Sequence, residues 1–396
     1  MPGSYTGYFF CIYIGVHRLK SGVGLYMGRG KERFVWLKRM LGVEAALAAV
    51  LFVLLGTGQR QNTAEVFRTV YSGGELHAGL ELQETGEPEK KEYIKWVDFN
   101  VSYDALCAAY QWDVDTHNTE HHIDWIDLLA YTACVCGGEF NEKAVKTLNR
   151  TAGKLAKGEE TMEALTEGKK YFAYYREAYE AVLGGMVGEY QRECGGDDAG
   201  SQQEKTYETV YGLKAYSPIA RGFAYEEYDD FGAGRSYGYK RKHLGHDMMG
   251  LVGTPITAIE SGYVEALGWN QYGGWRIGIR SFDKKRYYYY AHLRQNYPFA
   301  EGLQEGSVVT AGDVIGYMGH TGYSTKENVN NIEVTHLHWG LQLIFDESQK
   351  ECNSEIWVDV YALTRFLAKH TQAVKKVEGT KEWVRTTTIV DPAVKR

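Results

Sequence analysis

The spacing of apolar positions changes character several times along this 396-residue chain. Residues 40–56 form an apolar run broken only by Glu44, about the minimum length that crosses a bilayer as a helix. Arg29, Lys31, Arg33, Lys38 and Arg39 precede it, and the downstream flank carries little positive charge, so the basic side is expected in the cytoplasm and everything after residue 60 outside it. Gly56-Thr57-Gly58 offers small residues behind the apolar core, so residues 40–58 read either as a transmembrane anchor or as a cleaved signal peptide; a buried soluble helix is the plain alternative. Residues 1–39 read as a leader or a mis-started N-terminus, with Met27 and Met40 as alternative starts. Residues 59–93 are polar and charged and read as a linker.

From Trp96 to about Gln191 the apolar spacing is helical. Ile123, Trp125, Ile126, Leu128, Leu129 and Ala130 mark one segment, and Tyr171, Phe172, Tyr175, Ala178, Tyr179, Ala181 and Val182 another. Proline is absent between Pro88 and Pro218, which suits uninterrupted helices, and residues 94–193 are expected to form an α-helical domain of about four helices. The stretch 194–208, rich in Gly, Asp, Ser and Gln, reads as a second linker. Beyond it the pattern becomes short β-rich runs separated by glycine turns, such as Gly262-Tyr-Val-Glu-Ala-Leu, Arg276-Ile-Gly-Ile-Arg and Arg286-Tyr-Tyr-Tyr-Tyr-Ala-His. An antiparallel β domain over 209–371 follows, closed by a helix over 356–371, with 372–396 as a charged tail.

Length adds that the chain is too long for one ordinary domain and predicts two plus linkers. A net charge of -7 with scattered basic residues excludes nucleic acid as a partner, since no basic field exists to displace counterions. The 31 tyrosines, including the run Tyr287-Tyr288-Tyr289-Tyr290, read chiefly as strand packing, with groove lining for a glycan or peptide as the alternative. Cys11, Cys107, Cys134, Cys136, Cys194 and Cys352 make neither a zinc ribbon nor a dense disulfide framework; Cys134 and Cys136 read as small core residues, with a disulfide from Cys107 to one of them as the extracellular alternative. His117, Glu120, His121, His122, Asp124 and Asp127 cluster, but their neighbours Thr116, Asn118 and Thr119 read as a capped, solvated helix entry more than a metal site.

The chemistry concentrates in three stretches: His243-Leu-Gly-His-Asp247, Tyr290-Ala-His292-Leu, and His336-Leu-His338. A zinc ion that does chemistry takes three protein ligands and keeps one position open. His243, Asp247 and one of the paired histidines meet that need. In a strand, His336 and His338 face one cavity, so one of them binds metal while the other handles a proton. His246, beside Asp247, points elsewhere and reads as a solvent or supporting residue; His320, in the Gly319-His-Thr-Gly turn, reads as a cleft-rim residue.

The ordered set of residues, over roughly 211–346, resembles the lysostaphin/LytM-type zinc endopeptidases of bacterial cell walls (peptidase family M23), whose signatures are H-x-x-x-D and H-x-H. Gly253-Thr-Pro-Ile, Gly262-Tyr-Val-Glu, Gly268-Trp-Asn, Gly312-Asp-Val-Ile-Gly and Gly319-His-Thr-Gly follow the same order as in that family. The resemblance implies zinc ligation by His243, Asp247 and His338, with His292 and His336 as the catalytic pair. His336 would be the general base and His292 the donor to the oxyanion, or the reverse. The fold class is then α+β multidomain: an N-terminal membrane segment, an α-helical middle domain and a C-terminal antiparallel β-sheet peptidase domain.

The implied function is a zinc metalloendopeptidase that hydrolyses peptide bonds in peptidoglycan; the alternative is a catalytically idle scaffold of the same fold in a cell-envelope complex. The expected partners are the peptidoglycan peptide, the membrane through residues 40–58 and a cell-envelope protein through residues 94–193. The chain is expected at the cell membrane with its bulk outside the cytoplasm, or secreted if the leader is cleaved. Two departures from the family stand out. Residues 326–334 are an insertion ahead of His336, expected to overhang the cleft and gate substrate choice, and Trp339 stands where phenylalanine is usual.

Overall fold

A computed structural model describes residues 93–194, 205–237, 239–350 and 354–394. The expected leader, the 40–58 membrane segment and nearly all of the 59–93 linker lie outside them. Among the described residues no helix is long and apolar enough to cross a membrane.

Helices come first: α1 (Tyr103–Thr116), α2 (Trp125–Cys136), α3 (Glu142–Ala156), the short α4 (Met162–Thr166) and α5 (Phe172–Leu183). Their starts are set by side chains that accept the free N–H groups of the first turn. Asp124 accepts from Asp127 N, Asn141 from Lys143 N and Ala144 N, and Thr161 from Ala164 N. The His117–His122 segment is the connection between α1 and α2, with His117 at the C-terminal cap of α1, so His117 and His121 do not share a helix face. Cys107, Cys134 and Cys136 are half-buried free thiols, and Cys107 Sγ sits 3.3 Å from Lys369 Nζ instead of in a disulfide.

The helical region ends at Leu183, ten residues before the expected boundary, because Gly184-Gly185 stops α5 and Val187 opens a strand. Strand β1 (Val187–Cys194) pairs antiparallel with β2 (Thr206–Leu213) along its whole length. The described ends of the expected 194–208 linker are therefore the two sides of a hairpin.

The remaining strands are β3 (Glu226–Glu227), β4 (Gly234–Tyr237), β5 (Tyr239–Lys242), β6 (His246–Met249), β7 (Pro255–Thr257), β8 (Gly262–Asn270), β9 (Gly274–Ser281), β10 (Arg286–Ala291), β11 (Val308–Val309), β12 (Val314–Tyr317), β13 (His336–Leu343), β14 (Ile356–Val358), β15 (Val374–Lys376), β16 (Trp383–Arg385) and β17 (Ile389–Val390). The central antiparallel sheet has the order β11-β8-β9-β10-β13-β6-β3, with β14 also on β13. Register sorts its side chains, since partners across antiparallel strands share a face. Tyr288 pairs with Ile279 and Leu341, and Tyr290 with Ile277 and Trp339; these residues are fully buried. Tyr289 pairs with Gly278 and Gly340 on the other face, next to Ala291 opposite His338 and Asp247. The tyrosine run is thus both things the sequence allowed, core and groove in alternation.

The helices cover the core face. Arg286 links the layers: its guanidinium pairs with Glu260 at 2.8 and 3.1 Å and donates to the Glu180 and Ala181 carbonyls at the C-terminal end of α5, both at 3.2 Å. Helix α6 (Tyr361–Leu367) sends Phe366 against Tyr110 of α1 and Trp125 of α2, with ring centroids 5.6 and 6.0 Å apart. Leu106, Leu129 and Val182 of the helices belong to the same apolar cluster as Ile277, Leu337 and Trp339 of the sheet. Helical region and sheet share one core, where the sequence suggested separate domains joined by a linker.

Two further expectations are corrected. Only α6, preceded by β14, stands where a helix over 356–371 was expected. Residues 372–394 are no charged tail: β17 pairs with β1, Lys214 Nζ meets the buried Asp391 at 2.7 Å, and Glu382 accepts from Tyr297 and Tyr317. Charge alone suggested solvation, but these charges have built-in partners.

Candidate metal centre and active site

The centre forms where three chain segments meet on the open face of the sheet. The β4–β5 hairpin delivers His243, whose backbone is fixed by bonds from Gly232 N to its carbonyl at 2.7 Å and from its own N–H to Ala233 O at 2.9 Å. Asp247 follows in β6, opposite His338 of β13 in the register. Between them the chain passes over the His338 ring at Gly245, where a Cβ would lie 2.5 Å from His338 Cε1. The spacing in H-x-x-x-D therefore includes a position with no room for a side chain.

The three ligand-type side chains converge: His243 Nε2 is 3.1 Å from Asp247 Oδ1, His338 Nδ1 is 2.9 Å from the same oxygen, and the two nitrogens are 3.0 Å apart. All three donor atoms lie within 4.8 Å of one another, and His243 and Asp247 are buried. The other ring nitrogen of His243, Nδ1, lies 3.0 Å from Asp230 Oδ1 and 3.3 Å from Asp230 O. Oxygens of that kind only accept, so Nδ1 carries a proton, and in the neutral ring it is the Nε2 lone pair that faces the centre. Arg235 binds Asp230 and reaches Asp247 Oδ2 at 3.1 Å, leaving Oδ1 for the centre. Three electron-pair donors brought this close fit a bound cation, and two imidazoles with one carboxylate are a zinc donor set that leaves a position open.

The ionisation of Asp247 and His338 suits such a site, and His243 is the exception. Burial alone would raise the Asp247 pKa, but hydrogen bonds from His243 and His338 and the charge of neighbouring imidazoles hold it far below the carboxylate range. Burial works against charge on His243, yet its bond to Asp247 and the charges of Asp247 and Asp230 raise it on balance. His338 goes down, because burial outweighs the attraction of Asp247.

His336 and His292 flank this trio. His336 Nδ1 donates to Val334 O at 2.8 Å, and its Nε2 is 3.8 Å from Asp247 Oδ1. His292 sits just past β10 with φ +62°, and its Nδ1 donates to Thr321 O at 2.9 Å. The two rings are 4.7 Å apart, and His292 is 5.8 Å from His338. Burial first, then His336 and His338, keep the His292 pKa well below the ordinary histidine value. All five residues line a cavity of about 70 Å³, which adjoins a groove of about 730 Å³ through shared walls at Arg241, Tyr272, Tyr289 and His338.

The sequence profile of peptidase family M23 matches residues 241–351. The L-Ala–D-Glu endopeptidase of Bacillus subtilis is 38% identical over 124 residues, which are 31% of this chain and 36% of that protein. Lysostaphin of Staphylococcus simulans is 37% identical over 89 residues, 22% of this chain and 17% of that one. Residues 241–351 form a peptidase family M23 domain. This chain spans about a third of the length of the first relative and under a fifth of the second. Among solved structures, the catalytic domain of lysostaphin from Staphylococcus simulans is 28% identical and covers 36% of this chain and 92% of that chain, with a TM-score of 0.28.

Within and around the M23 domain, each histidine singled out in the sequence has a definite place. His243, Asp247, His338, His336 and His292 come together. His246 turns to the core face, where its Nε2 meets Glu227 at 3.1 Å and its ring packs on Tyr361; it is buried, not solvated. His320 Nδ1 donates to Ile332 O at 2.8 Å and lines neither cavity.

No residue of the 326–334 insertion lines either cavity, and it meets the centre through Val334 O, which accepts from His336 Nδ1 at 2.8 Å. Asn328 instead accepts from Trp275 Nε1 and Asn296 N, both at 2.9 Å, and Asn331 donates to Tyr323 O at 2.7 Å. The insertion thus braces the wall behind Tyr323. Sequence reasoning missed Asp230 and Arg235, which orient His243 and Asp247. Their only signal is an acid just ahead of the hairpin and a base in its first strand, and no spacing rule connects them to a histidine.

Proposed function

We propose that this chain is a zinc metalloendopeptidase acting on the peptide part of bacterial peptidoglycan. One observation carries the proposal: His243, Asp247 and His338 converge as a donor set while His336 and His292, each with Nδ1 donating to a backbone carbonyl, line the same small cavity. Zinc held by those three residues would supply Lewis acidity, polarising the scissile carbonyl and making a water acidic near neutral pH.

The protein's own groups do the rest. His336, with its Nδ1 proton committed to Val334 O, takes the proton of the attacking water at Nε2 and returns it to the leaving amine. His292 is the poorer base, since burial opposes its charge. Its Nδ1–H is likewise spent on Thr321 O, so in its neutral form it has no proton left for an oxyanion. We assign it to accepting a hydrogen bond from the water and so orienting it, in place of the oxyanion role that the family resemblance implies. Arg235 and Asp230 hold the metal-binding side chains in register.

The matched relatives support the substrate class through their names as endopeptidases, and the apolar segment at 40–58 supports a place at or beyond the cell membrane. The test is incubation of the full chain with purified sacculi and assay of newly exposed amines. Release that stops with a chelator and returns with zinc is the expected result; no release from any wall type by zinc-loaded protein would favour the idle scaffold.

A further inference from the structure

The groove beside the centre contains positive charge that the fold does not neutralise. Arginines elsewhere on these strands are paired: Arg235 with Asp230 and Asp247, Arg280 with Glu265 and Glu347, Arg286 with Glu260 and Asp283. Arg276 of β9 and Arg241 of β5 differ. Both line the groove, and among the described residues neither makes an ion pair, while the Nε of each is buried without a hydrogen-bond partner. Arg241 has a neutral contact only, lying 5.3 Å from the Tyr323 ring centroid and bonding its hydroxyl. The acids of the groove are engaged elsewhere: Glu265 by Lys350 and Arg280, and Glu355 by the Trp357 indole.

The two guanidinium groups act on one patch. Arg241, Arg276 and Tyr289 line the same groove, and the hydroxyl of Tyr289 accepts from Asn270 Nδ2 at 3.3 Å on that wall. Tyr289 and Arg241 also line the small cavity at the centre. Buried donors without acceptors are uncommon, and a guanidinium fork matches a carboxylate in shape and charge. On a peptide substrate the anionic groups are carboxylates.

We infer that Arg276, assisted by Arg241, binds a free carboxylate of the substrate peptide close to the scissile bond, so that the site selects acidic stem peptides over neutral bridges. This rests on the peptidase function proposed above. The test compares, on the full chain, a stem-type peptide bearing a free carboxylate beside the scissile bond with the same peptide as its carboxamide. Wild type should favour the acid in kcat/KM by about tenfold or more, the range of a charge-assisted hydrogen bond. Arg276→Gln should erase that preference by lowering kcat/KM for the acid to the level of the carboxamide, and Arg276→Lys should keep part of it. Zinc content and melting temperature establish that the variants are folded.

Equal cleavage of acid and amide by wild type, or a preference unchanged in Arg276→Gln, would overturn the inference. Calorimetric binding of the same two peptides separates it from the hydrolase proposal. If neither peptide is cleaved but the acid binds tighter in an Arg276-dependent way, hydrolysis fails and the carboxylate site stands. If neither binds, or both bind alike, the carboxylate site falls.

Discussion

The two faces of the central sheet are made by the same strands, yet they treat polar groups in opposite ways. On the core face polar groups are answered from within. Tyr288 donates to Glu260 at 2.7 Å, Arg286 pairs with the same acid, and the Tyr290 hydroxyl accepts from Ile259 N at 3.1 Å. Trp339 is the exception, with a buried indole N–H that finds no acceptor. On the groove face the fold fixes one side of each functional group and leaves the other open. His243, His336 and His292 spend Nδ1 on protein oxygens and keep Nε2 for the centre, and Arg241 and Arg276 lack acids. Stability belongs to the first face, and the chemistry proposed for this chain to the second. A one-residue shift of register would exchange them.

Neighbouring tyrosines test that division most sharply. Tyr288→Phe removes a donor from the buried Glu260 and should cost about 1–3 kcal/mol of stability by denaturant unfolding, with activity per folded molecule unchanged. Tyr289→Phe, which loses the hydroxyl that accepts from Asn270 Nδ2 at 3.3 Å, should stay within about 0.5 kcal/mol of wild type and act on the KM for peptide instead. Equal destabilisation by the two would erase the distinction between faces.

A smaller effect comes from His370, which donates to Ala215 O at 2.7 Å and stacks on Tyr216. Burial lowers its pKa, so the unfolded chain binds the proton more readily than the folded one. Its contribution is therefore complete above the unfolded value of about 6.5 and is lost as pH falls below it. His370→Asn keeps an N–H for Ala215 O without titrating. Its melting temperature should decline less than that of wild type between neutral and mildly acidic pH; parallel declines would show that burial at this position has no part in acid sensitivity.

How much was legible in the sequence follows the same boundary. Ligand chemistry and strand periodicity singled out His243, Asp247 and the His336–His338 pair, the family resemblance added His292 and the division of roles, and the structure brings all five into one cavity. The β region and the helices before it were legible because periodicity acts over a few residues. Asp230 and Arg235 were not, since their partners are chosen by how the β4–β5 hairpin folds back. The shared core of helices and sheet was hidden because periodicity reveals that a face is buried without revealing against what. Residues 326–334 looked like a free polar loop, but Asn328 and Asn331 find partners on segments distant in sequence. Glu382 and Asp391 misled in the same way, each being a charge whose partner lies elsewhere in the chain.

The central claim is that one cavity divides its residues between holding zinc and moving protons. Zinc content and sacculus hydrolysis, measured together on the full chain as wild type, Asp247→Ala and His336→Ala, test it most directly. Wild type should carry one zinc and release amines, and Asp247→Ala should lose both. His336→Ala should keep its zinc and lose about 100-fold in rate, the order for a positioned general base. Equal zinc loss in the two variants, or an undiminished rate in His336→Ala, would contradict the account.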